Sequence, residues 1–410
     1  MKVALLTLGC RVNQSESSVL EATLKDSGIN IVELKDNPDY CIINTCTVTS
    51  KSDYNSRQLI RRAVSTGAKV IVTGCYAQLK PDEVKSIPGI SEIIDTDHKY
   101  EIINKITDEN RELSFGYYSR SRPYLKVQDG CNFNCSYCSV PLARGRSRSV
   151  DSEEIIRRAQ IIESSGYNEI VMTGIHLGSY GFDLDGKTNL NNLIRGVLKE
   201  TRIIRIRLSS LEINEVNDEL IELFQETRIC KHLHLPLQSG SNHILKLMRR
   251  NYSAEKYKKQ IDNITRKIDN ISIGADVIVG FPGEDEKEFS ETLELIESIP
   301  LSYLHVFPFS KRPGTEAYMM KEKPPRRVVK ERVDRIIEIN KNKKNTYMKQ
   351  QIDKLFDIIV EEKNSNNIIT GTSSNYLKIQ APSDMHKRGS IVSVRPMRII
   401  SGKLWGIIIK

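Results

Sequence analysis

Residues 129–138 read Asp129-Gly130-Cys131-Asn132-Phe133-Asn134-Cys135-Ser136-Tyr137-Cys138, three cysteines spaced C-x3-C-x2-C with an aromatic just before the last. Thiolates this close can ligate three irons of a cubane iron–sulfur cluster and leave the fourth iron without a protein ligand. A structural zinc site wants a closed shell of four ligands, and no fourth Cys or His lies near. The remaining reading, three inert small hydrophobes in one loop by chance, is disfavoured by the spacing. Something other than protein must then bind the open iron.

Upstream, the chain to about Glu112 alternates strand and helix patterns. Val3-Ala4-Leu5-Leu6-Thr7-Leu8 ends at Gly9-Cys10, Tyr40-Cys41-Ile42-Ile43-Asn44-Thr45 at Cys46, and Lys69-Val70-Ile71-Val72-Thr73-Gly74 at Cys75. Asn13 and Glu16 read as a capping box for a helix that Gly28 stops. A second helix is expected from about Ser52 to Ser65, with Gly67 as its stop. Strands alternating with helices imply a parallel sheet, whose ligands bind outside the carboxyl ends of the strands. Cys10, Cys46 and Cys75 should therefore converge on one sheet edge, a pattern packing does not explain. Cys41, inside its strand, and Cys230 read as buried structural thiols.

Downstream, from about Arg122 to Glu316, the strand–helix theme recurs six times. The strands are Pro123–Gln128, Glu169–Gly174, Ile203–Ser209, His232–Gln238, Ser272–Gly280 and Tyr303–Pro308, with helices such as Ser152–Ser164 and Glu288–Glu297 between them. Six units can curl into an open partial barrel, whereas a full barrel of this class needs eight. Pro324 to about Gln350 is one long basic helix pattern. The short runs Leu355–Glu361, Ile368–Thr370, Tyr376–Gln380, Ile391–Pro396 and Leu404–Ile409 suggest a small barrel of the oligonucleotide-binding kind. Such barrels with basic faces contact single-stranded or looped RNA.

Composition agrees with a soluble protein of two to three domains: 410 residues, 39% hydrophobic and 28% charged. No apolar segment follows a charged start at Met1, and no long apolar run occurs, so no membrane association and a cytoplasmic location are expected. Reduced thiols there serve as ligands or nucleophiles. The net charge of +9 is uneven: residues 321–410 hold 20 Lys and Arg against 9 Asp and Glu, and the preceding residues 41 against 43. The basic tail is either a solvated helix face or a polyanion surface.

On these residues the chain resembles the radical S-adenosylmethionine enzymes at the Cys131–Cys138 loop, and the methylthiotransferase family over essentially its whole length. The words Thr7-Leu8-Gly9-Cys10-Arg11-Val12-Asn13-Gln14 and Thr173-Gly174-Ile175-His176-Leu177-Gly178-Ser179-Tyr180-Gly181 are most similar to the branch acting on N6-threonylcarbamoyladenosine in tRNA. The resemblance implies an α/β fold in three parts. These are an N-terminal parallel-sheet domain over 1–112, a partial (βα)6-barrel radical core over 117–345, and a small all-β RNA-binding barrel, TRAM, over 346–410. It implies two [4Fe-4S] clusters, one on Cys131, Cys135 and Cys138 and an auxiliary one on Cys10, Cys46 and Cys75. S-adenosyl-L-methionine would chelate the open iron of the first.

For that cofactor the resemblance implies contacts at strand ends. Thr173 and Gly174 would hold the methionine amino group, and Ser209, with Ser210 and Glu212, the ribose. Gln238 would close the fourth strand. Tyr137, and Gly280 within Asp276-Val277-Ile278-Val279-Gly280-Phe281-Pro282-Gly283-Glu284, would lie beside the adenine. Tyr137 also reads as a packing tyrosine, and Gly-Phe-Pro-Gly alone is only a turn signal. His176 reads as a hydrogen-bonded loop histidine. The run Arg144-Gly145-Arg146-Ser147-Arg148 either touches substrate phosphates or a carboxylate, or is a solvated basic turn. No residue beyond the cluster ligands carries a catalytic role.

The implied reaction is methylthiolation of that nucleoside next to the anticodon, by radical sulfur insertion at adenine C2 and methyl transfer from S-adenosylmethionine. An adenine C2–H is not acidic, so a radical rather than a base must remove it, and the cofactor performs that chemistry. A second open-site cluster can dock the sulfur; an electron relay is the rival, but relay clusters usually have four protein ligands. Implied partners are tRNA, an electron-donor protein and a sulfur source. The alternatives are methylthiolation of a ribosomal-protein aspartate, a non-catalytic iron–sulfur RNA-binding protein, and a zinc-stabilised interaction protein. The missing fourth ligands count against the last two. If the trios hold separate clusters, alanine at all three members of either should leave about half the iron of the reconstituted protein. Full iron in either triple variant would refute the assignment.

Overall fold

The computed structural model describes residues 1–186 and 188–409. Five parallel strands form the N-terminal sheet, in the order Asn30–Ile31, Lys2–Thr7, Tyr40–Thr45, Lys69–Gly74, Ile90–Ile93. Val3, Ile42 and Ile71 bury one face and Ala4, Cys41, Ile43, Val70 and Val72 the other, as a sheet covered on both sides requires. The three strands leading to Cys10, Cys46 and Cys75 are its adjacent central ones.

The first helix spans Arg11–Asp26, and the expected capping box is absent: Cys10 is its N-cap, with no side-chain cap. Asn13 Nδ2 instead donates to the carbonyls of Leu8 and Thr45, each at 2.9 Å. Glu16 is buried among cations from outside the helix. Tertiary partners outbid the local cap. The second helix, Ser50–Val64, starts earlier than expected because Thr49 accepts from the Ser52 amide.

Six parallel strands build the core as two three-stranded sheets. Their orders are Arg205–Leu208, Glu169–Thr173, Tyr124–Lys126 and His232–His234, Ser272–Val279, Tyr303–Pro308. Isolated bridges Ile206–Ile229 and Ser210–His234 join them. Leu125, Ile170, Ile206, Leu233, Val277 and Leu304, one from each strand, share one apolar cluster. The fourth strand is shorter than expected: Pro236 has no N–H to donate, and Gln238 takes φ 64°. The first strand is also shorter, because Gln128–Asp129 turns away to pair antiparallel with Arg148–Ser149. Asp151 caps the helix Ser152–Ser164 as expected. Asp285 caps Glu286–Ser298, so that helix begins before Glu288.

The basic helix spans Arg326–Lys349. A closed barrel follows, in the order Phe356–Lys363, Ile368–Ser373, Lys378–Pro382, Lys403–Ile408, Ile391–Ile400. Irregularities at Val360/Glu362 and Pro396/Arg398 bend its longer strands. Tyr376, expected in a strand, sits in a turn at φ 66°. Among the described residues no helix is long and apolar enough to cross a membrane.

The barrel is tied to the core through a buried carboxylate. Glu169 is 0% exposed and accepts from Arg207 Nε at 2.8 Å and Arg122 Nη1 at 3.3 Å. Arg207 also donates to the carbonyls of Ser373 and Ser374, each at 2.9 Å, and Arg205 to that of Asp357 at 3.1 Å. Burial pushes the Glu169 carboxyl up, but Arg207, Arg205 and Arg122 prevail and bring it to about 2. Its stabilising contribution is therefore full above the ordinary carboxylate range and lost as pH falls toward 2. Glu169→Gln should cost about 3–5 kcal/mol at neutral pH, a deficit that narrows on acidification. Urea unfolding followed by Trp405, the single tryptophan, checks this; equal stability at neutral pH would refute it.

Candidate functional site

The Cys131–Cys138 loop is shaped by Gly130. Its φ is 68°, and a Cβ there would lie 2.0 Å from the Arg146 carbonyl oxygen. The Cys131 amide donates to Gly145 O at 3.1 Å. Across the barrel mouth, Ser136 Oγ donates to Leu247 O and the Ala317 amide to Ser136 O, both at 2.7 Å. Donors face the sulfurs: Arg250 Nη1 reaches Cys135 Sγ at 3.4 Å, and the Phe133 amide reaches Cys131 Sγ at 3.4 Å. Burial nevertheless pushes the Cys138 thiol up to about 12 and raises the Cys135 thiol. A bound metal cation reverses that cost by coordinating the thiolate, so this donor set suits a metal rather than bare thiols.

The second trio meets where expected. Gly9 has φ 106°, and a Cβ there would lie 3.0 Å from Cys46 Sγ, so only glycine lets the Cys10 loop close over Cys46. Cys10 is exposed, Cys46 buried and Cys75 between them. Burial raises the Cys46 thiol to about 11, and the neighbouring Cys10 and Cys75 sulfurs add to the rise. Neither trio has all its sulfurs within 4.8 Å of one another. One tetrahedral zinc would draw them to about 3.8 Å, with each sulfur about 2.3 Å from the metal. A cluster, with its irons spread over a cube, fits the wider spacing.

Arg144 joins the two trios. Within the 144–148 run Arg144 is not a solvated turn residue, because it is 3% exposed. Its Nε donates to Cys75 Sγ at 3.3 Å, and its Nη1 to Glu16 Oε1 and Asp129 Oδ1, each at 2.9 Å. Lys126 Nζ lies 2.7 Å from Glu16 and 2.6 Å from Asp129, and buried Lys99 pairs with Glu16. Burial opposes the Glu16 charge, but Lys126, Lys99 and Arg144 hold its carboxyl well below the usual range. Arg148 pairs with Asp97 at 2.9 Å, and Arg146 is exposed. No spacing signal reveals this network, because its members are scattered from Glu16 to Arg144.

The strand-end residues differ in their surroundings. Thr173 Oγ1 and Ser209 Oγ are buried without hydrogen-bond partners, polar atoms free for a ligand. A Cβ on Gly174 would lie 2.8 Å from Gln128 Oε1, which accepts from the His176 amide at 2.8 Å. Glu212 pairs with Arg250, linking it to Cys135; Gln238, with its amide donating to Asp276 O at 2.8 Å, belongs to the opposite wall. The Tyr137 ring packs edge-on against Phe281 at 6.4 Å. Gly280 faces the basic helix: a Cβ there would lie 2.5 Å from Val329, and its amide donates to Glu284 at 2.9 Å. His176, hydrogen-bonded as read, sits 3.8 Å from Cys131 Sγ, contacts Glu215, and lies against Phe133 with ring centres 4.3 Å apart.

This geometry has relatives. Residues 125–296 match the Radical SAM superfamily, and residues 2–94 match Uncharacterized protein family UPF0004. The radical S-adenosylmethionine methyltransferase TsrM from Kitasatospora setae superposes with a TM-score of 0.59 at 14% identity, over 78% of this chain and 75% of that one. At that identity the likeness is one of fold. Threonylcarbamoyladenosine tRNA methylthiotransferase MtaB of Aquifex aeolicus is 40% identical over 93% of this chain and 96% of its own. The Bacillus subtilis protein of the same name is 37% identical over 97% and 94%. The tRNA-2-methylthio-N(6)-dimethylallyladenosine synthase of Clostridium tetani is 31% identical over 98% and 94%. The chain belongs to the methylthiotransferase family of radical S-adenosylmethionine enzymes. Gly130→Ala should displace the core loop, at a backbone cost of about 1–3 kcal/mol, and remove the core cluster's share of reconstituted iron. Electron paramagnetic resonance with iron analysis checks this; an unchanged core signal would refute it.

Proposed function

We propose that the protein methylthiolates N6-threonylcarbamoyladenosine next to the anticodon of tRNA, giving the 2-methylthio derivative. The observation that carries this reading is near full-length similarity to enzymes of that name. When bound, two [4Fe-4S] clusters and S-adenosylmethionine supply the electron, the carbon radical, the sulfur docking point and the methyl group.

The chain's residues position that chemistry. Cys131, Cys135 and Cys138 hold the core cluster, and Cys10, Cys46 and Cys75 the auxiliary one. Arg250 and the Phe133 amide turn N–H groups toward the core sulfurs and favour their ionised form. The unpartnered hydroxyls of Thr173 and Ser209 would hold polar groups of the cofactor, and Glu212, paired with Arg250, would hold the ribose. By the resemblance, Gly174 would lie by the methionine amino group, Gln238 on the opposite wall, and Tyr137 and the Gly280–Phe281 turn beside the adenine. The Arg144 network holds the two trios in register. The three-part division at 1–112, 117–345 and 346–410 assigns these tasks to the sheet, the core and the barrel.

The barrel and the basic helix would take the tRNA backbone. Arg395, Arg398 and Lys403 are exposed on neighbouring strands beside exposed Met397 and Ile400, a basic and apolar face of the kind RNA loops stack on. An open groove of about 610 Å³ is lined by Lys246, Arg249, Lys256 and Arg250, whose Nη1 donates to Cys135 Sγ. An electron-donor protein and a sulfur source would complete the reaction, and a tRNA substrate supports a cytoplasmic location.

The test is anaerobic turnover of reconstituted protein with S-adenosylmethionine, reductant, sulfide and tRNA, read by nucleoside mass spectrometry. The 2-methylthio nucleoside is expected; its absence, with a ribosomal-protein aspartate methylthiolated in a parallel reaction supplied with that protein, would overturn the reading. With Cys10, Cys46 and Cys75 replaced by Ala, 5′-deoxyadenosine should still form while the methylthio product disappears. Loss of cleavage in a folded variant would count against a dedicated sulfur role. Replacing Arg395, Arg398 and Lys403 by Ser should reduce the slope of log affinity for tRNA against log salt by about 2–3. An unchanged slope would remove this face from the RNA site.

A further inference from the structure

The lumen of the partial barrel carries a ligand set outside both cysteine trios. Along the strands His232–His234, Ser272–Val279 and Tyr303–Pro308, Leu233, Ala275, Val277 and Leu304 enter the apolar core. Residues of opposite parity therefore face the lumen: His232, His234, Asp276, Tyr303 and His305. Asp276 and His305 are paired directly across neighbouring strands. Asp276 Oδ1 lies 3.0 Å from His234 Nε2 and 3.2 Å from His305 Nδ1, and one donor atom from each of the three lies within 4.8 Å of the others. Two ligands about 2.1 Å from one ion subtend these separations at about 90–100°, the angle between neighbouring octahedral positions.

The surroundings suit a metal as well. His234 Nδ1 lies 3.2 Å from Tyr303 Oη, which is also 2.8 Å from His232 Nε2. The nitrogen not offered to the centre thus has a partner that holds the ring, the usual outer arrangement of a ligating histidine. Tyr376 of the small barrel stacks on His232 with centres 4.2 Å apart and backs this wall. On the other side the site is open: the His305 side chain is 52% exposed and that of Asp276 26%. The competing arrangement is a carboxylate accepting from two protonated imidazoles, with no ion.

We propose that His234, Asp276 and His305 bind one divalent first-row transition ion, with its remaining positions open to the lumen. Two imidazoles and a carboxylate are the donor set such ions prefer over magnesium or calcium. The site goes beyond the reaction proposed above and does not depend on it.

The test is equilibrium dialysis of the full-length protein, with both clusters reconstituted, against zinc, followed by zinc and iron analysis. Wild type should take up one more equivalent of zinc than His305→Gln or Asp276→Asn, whose affinity at this site should fall by at least about tenfold. Iron should be the same in all three. His305 is exposed, so its variant should also keep the wild-type unfolding midpoint, separating a lost ligand from a lost fold. No zinc uptake by wild type, or equal uptake by wild type and both variants, would overturn the proposal.

Discussion

Arg144 is held on three sides, and the relative position of the two cysteine trios depends on it. Taking a guanidinium out of water costs several kcal/mol unless its partners are close and well aligned. Glu16 supplies one from the helix Arg11–Asp26 and Asp129 the other from the strand Gln128–Asp129, at 2.9 Å each. The buried group sets three cations, Lys99, Lys126 and Arg144, against these two carboxylates. The Cys75 sulfur lies 3.3 Å from Arg144 Nε on the remaining side. Asp129 lies two residues before Cys131, and Glu16 lies on the helix that begins beside Cys10. The network thus runs from one set of sulfurs almost to the other.

A second buried carboxylate does the same for the small barrel. Glu169 gathers Arg122, Arg205 and Arg207, and these arginines hold the barrel's backbone carbonyls and Glu361. The Ser373–Leu377 turn is thereby pressed against the core, and Tyr376 meets His232 at the lumen wall. The barrel's exposed basic face is consequently fixed in orientation to the lumen. A flexible tether would leave the distance between a bound backbone and the reactive centre to chance.

Legibility followed the range of the interaction. The helix Ser152–Ser164 was readable because its cap, Asp151, is the adjacent residue. The convergence of Cys10, Cys46 and Cys75 was readable because strands of a parallel sheet place their carboxyl ends on one edge. The Asn13–Glu16 capping box was misread: both side chains have local partners within reach but better ones elsewhere, in the Thr45 carbonyl and the buried cations. The burial of Arg144 within the 144–148 run was not readable, since nothing adjacent tells a solvated arginine from a buried one. The lumen trio was invisible because His234, Asp276 and His305 belong to three separate strands whose facing residues become neighbours only on pairing.

The sequence by itself determined the chemistry on offer: six thiols in two sets at strand ends, glycines where the backbone must pass closely, and a basic tail ending in short strands. These are local properties, set by covalent spacing and by the conformations each residue allows. Tertiary structure alone decided which charges meet. A buried ion must find its counter-charge wherever the fold brings one, and desolvation makes that requirement strict without regard to separation along the chain. That is why Glu16 answers to Arg144 and Lys99, and Glu169 to Arg207, rather than to their sequence neighbours.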